Sequence, residues 1–548
     1  MEGKFSKPLE FGTGGMRGIM GPKEGQINEL SLRRATQGFS NFLNNYKQIL
    51  NRIPDNDPKK VFDKKLSKHL YNDFPKREMS VVISYDTRKN SPEFAKIVAL
   101  TFAANDIRVY LCDRPTPTPT LSFGIRRLNA IGGVNITASH NTKEYNGYKL
   151  YLSDGAQFTY PYDEIITEEI QKIEYVSDCK LMDEKEAYSK DLIVNLGDDF
   201  YNEYIAEVES LVTENKLIKE KGNTLKVVYT PFHGCGRDYV KRVFKDIGFT
   251  SLYTVKEQEV WDGKFATVKS PNPENVESFK MAIDLAKKHK ADIIIGTDPD
   301  SDRLGLLARD RKGTYVSFDG NKIVSIMCDY LLANKDKFMP SSKKHFVVKS
   351  FVTTTLIDKI CKYYGVNCYS VATGFKNIAA CIYAHEDNEQ LIFGCEESNG
   401  GLLGDFIRDK DGISAAEMIS EIALVMKEKN MNLVEYYDDI LRRCGRVYSK
   451  NVSVTFDNEK VKQDFLTMQK GLMDNPPKKF AGIDVESVED YKNSVFRDIK
   501  KGTTKEINLP KTDALVINLV DGSKVCLRPS GTEPKVKYYF IFDKSKES

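Results

Sequence analysis

Five groups of residues carry side chains whose types and spacing could do chemistry. The first is Ser139, which follows an apolar stretch in the run Gly132-Gly133-Val134-Asn135-Ile136-Thr137-Ala138-Ser139-His140-Asn141. A strand that stops at small polar residues presents one hydroxyl, but a free hydroxyl is a weak nucleophile and needs an activating partner or a group already loaded on it. Lys149 is the acid/base candidate, lying just past an Asn146-Gly147 pair that reads as a turn, and His140 is placed to orient the hydroxyl. Second, Asp298, Asp300 and Asp302 alternate in Gly296-Thr297-Asp298-Pro299-Asp300-Ser301-Asp302-Arg303, so three carboxylates can converge on one hard cation such as Mg2+, with Arg303 balancing charge. An EF-hand loop starting at Asp298 would need Gly at its sixth position and Glu at its twelfth; Arg303 and Arg309 stand there instead. Third, Glu396 and Ser398 can accept from and donate to vicinal hydroxyls of a polyol. Fourth, Arg528, Ser530, Gly531, Thr532 and Lys537 form an anion cradle within ten residues. Fifth, Arg17 closes the glycine-rich run Phe11-Gly12-Thr13-Gly14-Gly15-Met16-Arg17-Gly18 and could offer a forked guanidinium to a phosphate.

These groups need scaffolds, and the pattern supplies one three times. Strands are predicted at 79–85, 108–111 and 131–136 with helices at 91–104 and 121–128; a second copy runs 226–229, 239–247, 251–255, 276–289 and 292–295; a third runs 345–348, 354–364, 367–371 and 390–393. Each copy ends in one of the polar loops, where open α/β sheets place ligands. A helix is predicted at 30–50, a solvated insertion at 56–77, and a final unit with a strand at 446–456, a helix at 459–473, a loop-rich stretch at 475–511 and a hairpin turning at Asp521-Gly522. The expected fold is α/β, with three related α/β domains (1–195, 196–312, 313–431) and a smaller C-terminal α+β domain (432–548) around a central cleft.

Composition narrows the partners. The 548 residues carry 81 Lys and Arg against 78 Asp and Glu, a net charge of +3, which speaks against a nucleic-acid stripe or a membrane surface and for small anionic ligands. Ten scattered cysteines without a CxxC pair read as reduced thiols, and no window approaches a membrane span or a signal segment, so a cytoplasmic protein is expected.

The loops also resemble a known family. TASHN followed by YNGYK is similar to the phosphoserine loop of the α-D-phosphohexomutase superfamily, GTDPDSDR to its metal loop, and RPSGTEP to its phosphate-binding loop; Glu396 and Ser398 match its sugar-recognition loop, although Asn399-Gly400 stands where some bacterial members carry Gly-His. The four motifs occur in family order along nearly the whole chain, and the layout is most similar to the longer phosphoglucomutase/phosphopentomutase branch. The resemblance implies that Ser139 carries a phosphoryl group faced by Arg17. Asp298, Asp300 and Asp302 would hold one Mg2+ completed by an oxygen at Ser139. Arg303, Thr373, Gly374, Glu396, Ser398 and Lys410 would bind the sugar, and Arg528, Ser530, Gly531, Thr532 and Lys537 would hold the phosphate that stays. It further implies interconversion of glucose 1-phosphate and glucose 6-phosphate through glucose 1,6-bisphosphate, by a monomer or weak homodimer acting on small sugar phosphates. Pentose or mannose phosphates, bisphosphate synthesis and an inactive sugar-phosphate binder are the alternatives.

Overall fold

The computed structural model describes residues 3–6, 15–57, 59, 73–507, 509–529 and 535–545. Its strands assemble into four sheets. The central strands of the first three are Glu78–Tyr85, Val227–Thr230 and Lys344–Ser350. Val81, Val82, Val228, Ile294, Val347 and Val348 are all fully shielded from solvent, the near-continuous apolar run that a parallel sheet covered on both faces requires.

The three sheets share one core topology. In each, the first strand of the repeat lies between the second and third, paired parallel with both, and the third pairs antiparallel with a return strand. The third strands are Ala130–Ile136, Ile293–Thr297 and Glu389–Glu396; the returns are Tyr145–Leu152, Leu304–Arg309 and Gly400–Leu403. The Ser139, aspartate and Glu396 loops are therefore equivalent turns of three repeats. Each holds one non-glycine residue at positive φ: Ser139 at 53°, Ser301 at 55° and Asn399 at 61°.

Two expectations are corrected. Asn146-Gly147 does not turn; it lies inside the strand Tyr145–Leu152, because the chain has already reversed between Ser139 and Glu144. The Asn146 amide instead donates to Ser91 Oγ at 3.0 Å, and a Cβ on Gly147 would sit 2.5 Å from Thr137 O and 2.8 Å from Met16 O, so glycine lets three strands close together. The stretch 475–511 is not loop-rich either. It supplies Ile483–Asp490, Val495–Asp498 and Thr503–Glu506, and the first of these pairs with Leu515–Leu519 inside the fourth sheet.

That fourth sheet is antiparallel throughout, and the helix Glu459–Asp474 covers it by packing Phe465 on Val525, Leu527 and Val536. Its hairpin, Leu515–Leu519 to Lys524–Pro529, turns at Asp521-Gly522 as predicted. Among the described residues no helix is long and apolar enough to cross a membrane.

Candidate active site

The first three loops meet in space. Ser139 is buried, and its Oγ donates to Asp298 Oδ2 at 2.9 Å while lying 3.2 Å from His140 Nδ1. Its left-handed backbone lifts the hydroxyl out of line with the strand, and its amide is held by Thr137 Oγ1 at 2.8 Å. Burial, reinforced by the charges of Arg303, Arg17 and Lys537, holds the His140 imidazole well below its usual range, so it stays neutral at physiological pH. Lys537 belongs to the C-terminal strand Lys535–Asp543.

Asp298, Asp300 and Asp302 are all buried, and one carboxylate oxygen from each lies within 4.8 Å of the others. Asp300 Oδ1 and Asp302 Oδ1 are shielded from solvent without a hydrogen-bond donor, a costly arrangement for a carboxylate. Hard oxygen donors clustered with orphaned lone pairs fit a divalent cation such as Mg2+. Burial, Asp300 and Asp302 push the Asp298 carboxyl well up. Burial also acts upward on Asp300, but the charge and hydrogen bond of Lys149, with bonds from Asp298 and Thr118, outweigh it and hold this carboxyl down.

Lys149 is buried on the return strand opposite Asn135; its Nζ donates to Asp300 Oδ2 at 2.9 Å and lies 3.7 Å from Asp302 Oδ2. Arg17 lies on the edge strand Met16–Ile19, where pairing of Arg17 with Gly147 sets it beside the loop, and its Nη1 donates to Asn141 Oδ1 at 2.9 Å. The glycines expected to precede it, Gly12 and Gly14, fall outside the described residues. Arg303 gives its amide to Asp298 Oδ1 at 3.1 Å and its guanidinium to Glu274 at 3.0 Å.

The third loop joins the same cluster. Glu396 Oε1 accepts the Gly374 amide at 2.8 Å, and burial, offset in part by Lys410 and aided by Glu397, raises its carboxyl. Thr373 Oγ1 is buried without a partner, and Ser398 is half-buried two residues from Glu396. Lys410 reaches Asp302 Oδ2 at 3.2 Å and Asp409 Oδ1 at 3.3 Å. Arg528 and Lys537 face each other as cross-strand neighbours in the C-terminal hairpin; Ser530, Gly531 and Thr532 lie outside the described residues.

Several residues to which the sequence reading gave no role fasten these loops together. Thr118, at the start of the helix Thr118–Arg127, gives its amide to Asp300 O at 2.8 Å and its hydroxyl to Asp300 Oδ2 at 2.8 Å, and accepts from Asn135 Nδ2 at 2.7 Å. Asn399 accepts the Leu304 amide at 3.0 Å and returns a side-chain bond to Leu304 O at 2.9 Å, so the residue that departs from the bacterial Gly-His pattern ties the third loop to the second. Asn also tolerates the left-handed conformation found there. The Gly412 amide donates to Ser301 O at 3.0 Å, and Tyr151 Oη donates to Asp409 Oδ2 at 2.6 Å. Only the Thr-Pro helix start was a local signal for any of these, since each bond joins distant parts of the chain.

Comparison with known proteins agrees with this arrangement. Three family descriptions match in order: phosphoglucomutase/phosphomannomutase, alpha/beta/alpha domain I over residues 59–177, domain II over 201–313 and domain III over 319–444. The chain is 33% identical over 537 residues to the phosphoglucomutase of Staphylococcus aureus strain MRSA252, an alignment covering 98% of this chain and 90% of that protein. This chain belongs to the phosphoglucomutase/phosphomannomutase family. The phosphoglucomutase/phosphomannomutase fold also appears in solved structures. Parafusin from Paramecium, in its open form, superposes with a TM-score of 0.66 at 17% identity, covering 100% of this chain and 92% of that one. A phosphoglucomutase/phosphomannomutase family protein from Burkholderia thailandensis gives 0.66 at 16% identity, covering 98% and 94%. Within the family fold, the first three loops occupy corresponding turns of domains I, II and III.

Proposed function

We propose that the protein is a phosphoglucomutase that interconverts α-D-glucose 1-phosphate and glucose 6-phosphate through a phosphoserine at Ser139 and a glucose 1,6-bisphosphate intermediate. The single observation that carries this reading is the buried contact of Ser139 Oγ with Asp298, within the aspartate trio and beside Lys149. The similarity to the Staphylococcus aureus phosphoglucomutase supports the choice of glucose phosphate as substrate.

In the first half-reaction the P–Oγ bond at Ser139 breaks, a P–O bond to the free sugar hydroxyl forms, and the hydroxyl proton ends on Ser139 Oγ. The bisphosphate then turns and returns its other phosphate by the reverse step. Asp298, Asp300 and Asp302 would hold Mg2+, which when bound neutralises charge on the phosphoryl oxygens. Lys149 is the group assigned to carry the proton, and neutral His140 orients Oγ. Arg17 faces the phosphoryl group, Arg303 and Lys410 balance the carboxylates, and Thr373, Gly374, Glu396 and Ser398 read the hydroxyls. Arg528 and Lys537 anchor the phosphate that is not moving, which leaves little beyond positioning and electrostatics for the protein to supply.

The ten cysteines, all unpaired, accord with a reducing compartment, and we assign the enzyme to the cytoplasm as a monomer or weak homodimer. A coupled assay over glucose 1-phosphate, mannose 1-phosphate and ribose 1-phosphate, with and without glucose 1,6-bisphosphate, tests the reading. Highest kcat/KM on glucose 1-phosphate, with stimulation by the bisphosphate, is expected; preference for either other sugar would overturn the substrate assignment.

A further inference from the structure

We propose that Arg88 is a positioning residue for the nucleophile: one buried guanidinium grips the carbonyl oxygens of the Ser139 loop and fixes the direction of its hydroxyl. Arg88 is 1% exposed. Its Nη2 donates to the carbonyl oxygens of Ser139 and Asn141, both at 2.5 Å, and its Nη1 to those of Thr142 at 2.8 Å and Tyr145 at 3.1 Å. Nε lies 3.1 Å from Asp86 Oδ2. The loop thus turns four carbonyls inward onto one planar cation rather than outward to water.

The other side of the Ser139 peptide is held by the same pair of residues. Asp86 Oδ2 accepts the Thr137 hydroxyl at 2.7 Å, and Thr137 Oγ1 in turn accepts the Ser139 amide at 2.8 Å. Asp86 Oδ1 takes the Arg88 amide at 2.9 Å and the Ser91 hydroxyl at 2.8 Å. Both peptide groups flanking the Ser139 Cα are therefore fixed from Asp86 and Arg88. The serine needs this hold, because φ of 53° is unfavourable for an L residue and persists only when its surroundings over-determine it.

The second domain closes the arrangement. The Phe265 ring lies 5.0 Å from the guanidinium carbon, and the Gly263 backbone packs so closely on Thr87–Lys89 that a Cβ there would sit 2.4 Å from Lys89 N. Lysine cannot replace this arginine, since an ammonium offers three donors around a point where the planar fork offers five.

This assignment rests on Ser139 as the phosphoryl carrier, and it adds a residue that touches neither substrate nor metal. The test is Arg88→Lys, which keeps the charge opposite Asp86. Ser139 phosphorylation by glucose 1,6-bisphosphate is followed by rapid-quench intact-mass spectrometry, together with kcat, KM and the melting transition. The transfer rate and kcat are expected to fall on the order of 10²-fold, with KM for glucose 1-phosphate unchanged, because misplacement by an ångström suffices. A folded variant that phosphorylates Ser139 at the wild-type rate, or one that loses KM alone, overturns the assignment. If Arg88→Lys lacks a native melting transition, Phe265→Leu replaces it, with kcat expected to fall roughly 2- to 5-fold at constant KM for loss of the ring face; a wild-type kcat there overturns it equally. A wild-type enzyme that turns over without phosphate on Ser139 would instead refute the carrier reading, and this assignment with it.

Discussion

Ser139 and Asp298 are separated by 159 positions in the chain and by 2.9 Å between Oγ and Oδ2. The first comes from the turn after Ala130–Ile136 and the second from the turn after Ile293–Thr297, equivalent places in two repeats. The nucleophile of one domain is thereby delivered to the carboxylates of the next. Replacing Ser139 by Ala removes the oxygen and little else from a tightly packed loop. Turnover is expected to drop by 10³-fold or more, on the order seen when an essential nucleophile is deleted, while the variant keeps a cooperative melting transition. Substantial residual turnover, or a phosphorylated peptide elsewhere than Ser139, would remove the phosphoserine from the reaction.

The orphaned oxygens of Asp300 and Asp302 lead to a prediction about metal that does not depend on activity. Titrating Mg2+ into chelator-treated protein should raise the melting temperature, by about 2.7 kcal/mol of stabilisation at a hundredfold excess over Kd. Asp300→Asn should abolish most of that gain. Thermal unfolding indifferent to Mg2+ would show that the trio is not a cation site.

Arg528 stands opposite Lys537 on adjacent strands, half-buried and remote in sequence from every group that reacts. Its loss should weaken substrate binding by the worth of a charge-assisted contact, about 1.5–3 kcal/mol, while kcat changes little. Steady-state kinetics of Arg528→Ala decide the matter, and an unaltered KM would dismiss the anchoring role.

Asp411 yields a pH prediction. Its Oδ1 accepts the amides of Ile413 and Ser414 at the start of the helix Gly412–Glu428, and its Oδ2 accepts the Tyr204 hydroxyl at 2.9 Å. Burial outweighs these bonds and pushes its carboxyl up to about 6 from 3.8. Between those values the native state binds more protons than the unfolded chain, so this residue's contribution to stability falls as pH rises through the window and its cost is complete above it. Asparagine keeps the cap without a charge to desolvate. Asp411→Asn should be the more stable protein at pH 7, by an amount on the order of 2–3 kcal/mol, with the gap closing toward pH 4. Urea unfolding of both proteins across that range supplies the check, and a variant less stable at pH 7 contradicts it.

Much of the site was legible because its loops interrupt apolar strands, and an abrupt change from Ile293-Ile294-Ile295 to alternating aspartates is a local signal. The triplicated α/β pattern was legible for the same reason, since strands buried on both faces read as hydrophobic runs. Asn146-Gly147 misled because the pair favours turns in general, whereas here tertiary packing against Thr137 and Met16 selects glycine for its size. The stretch 475–511 misled in the opposite direction. Ile483–Asp490 interleaves acidic and apolar residues, and Thr503–Glu506 is exposed throughout, so neither carries a strong run. Arg88 and Asp86 gave no warning, and Thr118 and Asn399 gave no hint of their partners, because the groups they bind lie tens to hundreds of positions away.

The two hydrogen bonds from Thr118 to Asp300 and the reciprocal pair between Asn399 and Leu304 have a mechanical corollary. Domains I, II and III are stitched to one another at the very turns that carry the reactive groups, so the floor of the cleft cannot part without tearing its own chemistry. A bisphosphate that has to exchange its two ends needs room, and that room has to come from the roof, where the fourth sheet brings Arg528 and Lys537 and meets domain III through Lys524 to Phe351 O, Lys359 to Asp543 and the stacked rings of Phe351 and Tyr491.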